Sequence, residues 1–301
     1  MLNKALTWVY DNRKYFDPLS DDTDTHIKKM FAELQLALIL GKRNQQFLAS
    51  NTICILDKLI DFSTNIIENP SYYNQILLNL KLFRVSAAPV IYYLTLKSNP
   101  ILEEIIRNSY KKAYDITPEL LPYRLLDVEH MISLTKRYTG VNIREKICKD
   151  VFKTILTSNY DILYWGINEE YALTHSIFYA TDFGKYKLPQ KLKQKISRNI
   201  RVLAANKLVV NDFDLLGEYI INMCNLNIFK DFRNKAYDIL MHQQNDDGYI
   251  IAPFRKNNDK LDENTSNCKL RNRNIVRNNY HTTLVAVMAS FCIKKDKQNE
   301  K

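Results

Sequence analysis

The sequence predicts an all-α protein, an α/α toroid of about six antiparallel helical hairpins. Three observations predict it. Glycine and proline are scarce, 6 and 8 in 301 residues, whereas hairpin-rich β folds need many turn residues. Apolar residues recur at helical spacing along nearly the whole chain. Turn signals cut that pattern into about twelve segments with short connections, and hairpins of that kind stack into a solenoid or close into a two-layer ring.

In order, Lys4–Tyr15 is the first helix, stopped near Pro18. The acidic turn at residues 20–25 leads into Thr25–Lys42, with Phe31, Leu34 and Leu38 on one stripe. Gln46–Ile67 is the third helix, ended by Asn69-Pro70. Tyr72–Leu96 is the fourth, and Pro89 should kink or split it. Asn99-Pro100 opens the fifth, and Thr117-Pro118-Glu119 opens the sixth, which runs to about Tyr138. Asn142 with Glu145 starts the seventh in the manner of a capping box, over Ile143–Thr157.

The eighth helix occupies Asn168–Gly184, and Gly184 ends it. Pro189 begins the ninth, whose apolar positions Leu192, Ile196, Ile200 and Leu203 alternate with lysines as on a surface helix. Asp212 caps the tenth, Phe213–Cys224, and Phe229–Gln244 is the eleventh. Asn245-Asp246-Asp247-Gly248 is the strongest turn in the chain. A polar loop then precedes the twelfth helix, Arg277–Ile293. Residues 1–293 read as a single helical-toroid domain and 294–301 as a charged, frayed tail.

In a closed toroid every second helix belongs to the inner layer, and the even-numbered segments carry the unexpected polar residues. These are Glu33, then Arg124 with Glu129 and His130, then His175 and Asp182, then Asp214 and Glu218, then His281. A polar group on a helix buried on most sides costs a few kcal/mol unless paired, about as much as one well-packed side chain contributes. His175 and Asp182 are seven residues apart, two helical turns, so a continuous helix puts them on one side. They either tie inner helices together or line a cavity. Asp214 and Glu218 share a face one turn apart, as paired carboxylates for acid–base work or as a first-turn acid beside an ordinary ion pair. His130 reads as structural, because adjacent Glu129 and His130 face different directions.

The net charge is +10. Much of it falls between Gly184 and Lys207, where lysines and arginines meet no acid, and in Arg255–Arg277. Such runs suit an acidic partner, whether nucleic acid, phosphate or a membrane surface, or else a solvated helix face. No nucleic-acid motif accompanies them, so nucleic acid is not the expected partner. Five scattered cysteines without a Cys-x-x-Cys pair fit a reduced, cytoplasmic protein. No apolar run is long enough for a membrane span, and the first residues lack the apolar core of a signal peptide. Nucleotide-binding and serine-hydrolase motifs are absent. Aromatic residues, 19 Tyr and 13 Phe, crowd the candidate polar positions as core packing or as the wall of a pocket.

The last fifth of the chain carries a resemblance. Residues 242–250 end a helix in a Gln-x-x-x-Gly turn, and Asn279-Tyr280-His281-Thr282-Thr283 follows. This resembles the α/α-toroid superfamily of protein prenyltransferase β-subunits and terpenoid cyclases. The resemblance implies a zinc-binding role for His281. The Asp-x-Cys zinc pair, the Asp-x-Asp-Asp acid motif and the Cys-His-Gly motif of lanthionine cyclases have no counterpart. The run from Thr174 to Gly184 resembles an uncharacterised bacterial family of unknown function.

Two functions are therefore expected. One is a cytosolic bacterial enzyme of natural-product metabolism, a transferase or cyclase, acting on an apolar small-molecule or peptide-like substrate. His175, Asp182, Glu218 and His281 would line its cavity, with zinc as one cofactor that His175, Asp182 and His281 would hold. The other is a non-catalytic helical-repeat protein that binds an acidic peptide or protein partner.

Overall fold

The computed structural model describes residues 1–21, 24–115, 120–159, 161–253 and 266–298. Among these the regular elements are fourteen α-helices and short 3-10 turns, with no strand beyond a single bridge between Gln244 and Ile250. The helices are α1 (Leu2–Asp11), α2 (Thr25–Arg43), α3 (Ser50–Ile67), α4 (Pro70–Leu78), α5 (Phe83–Leu96), α6 (Pro100–Asp115) and α7 (Pro122–Leu134). They continue as α8 (Lys136–Thr139), α9 (Arg144–Asp150), α10 (Ile167–Thr181), α11 (Gln190–Val209), α12 (Phe213–Leu226), α13 (Lys230–His242) and α14 (Cys268–Gln298).

The chain folds into two compact units. Unit one is Met1–Ile66, Asn206–Ile220 and Asp231–Lys301, and unit two is Ile67–Ala205 and Ile221–Lys230. In unit one α14 lies along α2, and α1 packs on α14. Asp24 caps α2 by accepting hydrogen bonds from the backbone N–H groups of His26 and Ile27, which satisfies two of the donors orphaned at a helix start. The same carboxylate receives Arg273 at 3.2 Å and Arg277 at 2.5 Å from α14. Glycines set two close approaches. A Cβ on Gly41 would meet Leu56 and Phe291 at 2.9 Å, and one on Gly217 would meet Val285 Cγ1 at 2.5 Å.

In unit two α5 packs against α4, α6 and α7, and α10 packs on α7. α5 has no polar face: ten of its residues are buried, Pro89 among them. That all-round packing holds the helix through Pro89 despite the lost backbone hydrogen bond. The expected break falls instead at Asn79–Leu82, where α4 ends and a 3-10 turn begins. The seventh expected helix is also shorter. α9 stops at Asp150, and 3-10 turns at Val151–Lys153, Ile155–Thr157 and Ile162–Tyr164 follow.

α7 begins at Pro122, and the expected start at Thr117-Pro118-Glu119 lies outside the described residues, as do parts of the acidic turn at 20–25 and of the Arg255–Arg277 run. α14 starts nine residues before the expected Arg277 and continues through Gln298, so Lys294–Gln298 is helical, anchored by Asp296 on the buried Arg233 at 2.7 Å. The remainder of the expected tail is outside the described residues.

Candidate functional site

Charged side chains gather around His281 in unit one. Its Nδ1 lies 2.6 Å from Glu33 Oε2 on α2. Its Nε2 lies 3.3 Å from Asp214 Oδ1 and 3.8 Å from Glu218 Oε1, both on α12. Asp214 and Glu218 face the imidazole together because they are one helical turn apart. Gly217 lets α12 come close enough for this: its missing side chain leaves room for Val285, one turn beyond His281 on α14. The Thr282 hydroxyl donates to Asp214 Oδ1, the Tyr280 hydroxyl hydrogen-bonds Glu33, and Lys29 stands 3.6 Å from Glu33.

The base of this cluster is dry and its mouth is open. Asp214 and Glu218 are buried, whereas the His281 side chain is 30% exposed. Burial alone would pull the imidazole pKa down. The carboxylates of Asp214 and Glu33, with hydrogen bonds to Glu218 and Glu33, outweigh it and hold the group well above its ordinary 6.5. These partners favour the imidazolium form of His281. His26 is set the other way: burial, then Arg277 and Lys29, push it below 6.5. Tyr280 is pushed well above the usual phenol range by burial first and by Glu33 next, so it stays a donor.

Unit two holds the other two expected residues. His175 is half-buried on α10, and its Nδ1–H donates to Tyr171 O at 2.9 Å. That bond fixes the proton on Nδ1. The rings of Tyr123, Tyr171, Phe178 and Tyr179 surround it at 5.7–6.1 Å.

Asp182 lies one residue past the end of α10, with a left-handed φ of 45°. The two-turn spacing from His175 therefore does not apply to it. Asp182 Oδ1 accepts from His130 Nε2 at 2.9 Å, and Lys185 approaches Oδ2 at 3.7 Å. The imidazole that Asp182 orients is thus His130, on α7, which sequence reasoning treats as structural. Next to it in sequence, buried Glu129 binds Lys146, which also reaches Asp150 at 2.8 Å. Burial raises the Glu129 carboxyl to about 7, with Lys146 opposing and Asp150 adding to the rise. Burial also acts to raise Asp150, but hydrogen bonds with Lys146, Lys153 and Glu129 win and hold it below the usual range.

Of the expected site, the structure gathers Glu218 and His281 in unit one and adds Asp214, Glu33 and Lys29. Glu33 carried a sequence signal as a polar residue on an inner helix. Lys29 carried none, because an exposed lysine on a helix face is ordinary. Among the described residues no group of three His, Cys, Asp or Glu side chains is spaced to hold a metal ion. Unit one also has a cleft of about 320 Å³ lined by Trp8, Asp11, Asn12, Asp247, Asn272 and Ile275, among others.

Residues 2–291 match the model of the family described as "Domain of unknown function (DUF6895)". The chain belongs to the DUF6895 family. No curated protein and no solved structure matches this DUF6895 chain. No described helix is long and apolar enough to cross a membrane.

Proposed function

We propose that this DUF6895 protein is an enzyme of natural-product metabolism with an acid–base centre at His281, acting on an apolar or peptide-like substrate. One observation carries the reading: an imidazole with carboxylates at both ring nitrogens is still 30% exposed. That exposure leaves the ring within reach of a substrate while its carboxylate partners Asp214 and Glu218 stay buried. In this reading the imidazolium donates its Nε2 proton to a heteroatom of the substrate. The neutral ring keeps Nδ1–H on Glu33, which fixes its orientation. Asp214 and Glu218 then hold the site ready for the proton's return. Effects of this kind are worth about 10²–10⁴ in rate.

The first test is direct. An NMR titration of His281 should place its pKa well above 6.5, and Asp214→Asn should lower it. A value at or below 6.5 removes the acid–base reading. The second test incubates the protein with a panel of short peptides and isoprenoid alcohols under mass-spectrometric detection. Conversion by the wild type and its loss in His281→Gln support the reading, and equal conversion by both overturns it.

The toroidal stacking of hairpins is part of the same proposal. It is supported by the Gln-x-x-x-Gly turn, where Gln244 Nε2 donates to Gly248 O at 2.7 Å and to Met1 O at 3.2 Å. A left-handed φ of 112° at Gly248 brings that turn onto the backbone of Lys4. Small-angle scattering with the elongated profile of an open solenoid would sink this part.

A further inference from the structure

Unit two presents a second surface, independent of the acid–base reading. The 3-10 turns after α9 bury Val151 and Leu156 but leave other apolar side chains in water. Leu163 is 84% and Tyr164 86% exposed, and Phe152 is half exposed. The backbone that carries them is held by hydrogen bonds. Leu163 N donates to Asp161 Oδ1 at 3.0 Å, Gly166 N donates to Glu169 Oε2 at 2.9 Å, and the Thr157 hydroxyl donates to Phe152 O at 2.9 Å. A hydrogen-bonded turn that displays leucine and tyrosine to water leaves apolar surface that burial against a partner would stabilise.

The neighbouring element is the basic helix α11. Lys195 clamps the segment to it, donating to Thr157 O and to Asn159 Oδ1 (2.8 Å). Leu163 is four residues from Asn159, so it lies within roughly 13 Å of that clamp. Lys191 and Arg198 lie on the exposed side of α11 at helical spacing with Lys195. No aspartate or glutamate occurs from Gly184 through Asn211. Apolar tips beside a cationic stripe match a bilayer surface, where the tips enter the acyl boundary and lysines meet anionic headgroups. A nucleic acid would use the cations but leave Leu163 in water, and an acidic peptide would do the same.

We propose that this face of unit two docks on anionic phospholipid bilayers. The test is co-sedimentation of the full chain with vesicles of phosphatidylcholine alone and of phosphatidylcholine mixed with phosphatidylglycerol. Binding is expected only to the mixed vesicles, and added salt should weaken it. Lys191→Glu with Arg198→Glu should lower the bound partition by at least fivefold per residue, from about 1 kcal/mol per cation. Leu163→Asp with Tyr164→Asp should abolish binding while the far-UV spectrum and melting temperature stay unchanged, since both side chains are exposed.

Absence of binding to the mixed vesicles overturns the proposal. So does binding that neither double variant weakens. Binding of polyglutamate or single-stranded RNA through Lys191 and Arg198 without vesicle binding would assign the face to a different partner and also overturn it. A concentration-dependent dimer dissolved by Leu163→Asp, again without vesicle binding, would do so too.

Discussion

Glu129 titrates where few carboxylates do, and this makes its contribution to stability depend on pH in a defined direction. Its folded pKa of about 7 lies above the ordinary 4.5. The folded state therefore holds the proton more tightly, and the stability this contributes is present below 4.5 and lost as pH rises to about 7. The loss is on the order of 3 kcal/mol at most. Glu129→Gln should flatten that slope in urea melts, and an unchanged slope would show that another group causes it. Asp150 acts with the opposite sign: its depressed pKa contributes stability that is lost as pH falls below 3.8. His281 shares the sign of Glu129, losing its contribution as pH rises through a folded value well above 6.5. Asp214→Asn keeps an oxygen acceptor but removes the buried negative charge beside the ring, and should cost about 1.5–3 kcal/mol, the range for hydrogen bonds to charged groups. The partners of Glu129 and of Asp182 were not legible locally. Asp182 shows why: its spacing from His175 is correct for one helix, yet a left-handed residue ends that helix and turns the carboxylate to His130.

At the scale of elements, α12 and α14 depend on one missing methyl group. Gly217→Ala improves intrinsic helix propensity by about 1 kcal/mol. It also places a Cβ 2.5 Å from Val285 Cγ1, an overpacking worth about 1–3 kcal/mol. Net destabilisation is expected in denaturant melts, with partial recovery in Gly217→Ala/Val285→Ala. A stabilised single variant would show that the helices separate freely. Asp24→Ala should cost about 1–3 kcal/mol, because a helix cap and two arginine contacts leave together. The periodic helices α2 and α12 are readable to within two residues at both ends, and α11 at its start, because one clear apolar stripe each meets a definite start signal. The misplaced boundaries have physical causes. α5 carries its proline because tertiary packing surrounds it, and the polar start of α14, rich in Asn, Arg and Lys, has no apolar stripe to reveal it.

Across the whole molecule, the five cysteines remain free thiols in two classes. Cys54, Cys148 and Cys268 are exposed, whereas Cys224 and Cys292 are half-buried, and burial of its sulfur pushes the Cys292 thiol up to about 12. A colorimetric thiol assay on the native protein should find three fast groups, with Cys224 and Cys292 slower. Fast labelling of Cys292 would mean that the α14 core opens readily. Helical class and reduced thiols were both visible in composition. The partition into two units was not, because it depends on contacts between segments some two hundred residues apart.

That partition has a consequence for biosynthesis. Unit one is assembled from residues 1–66 and 231–301, with a short piece between. α1 rests on α14, and Gly248 rests on Lys4. On the ribosome, the first helices must therefore wait for the last. Leu2, Leu6 and Val9, all buried in the finished protein, stay without their seat while more than two hundred residues are added. Unit two, made almost wholly of one continuous segment, can form during that interval. Contacts of such long sequence separation slow folding and leave apolar surface open to aggregation. Expression of this chain is expected to depend on chaperones that shield its first sixty residues, and ribosome-bound chains stalled before α14, compared with chains extended by a linker that carries α14 clear of the exit tunnel, would reveal the difference by protease sensitivity of α1.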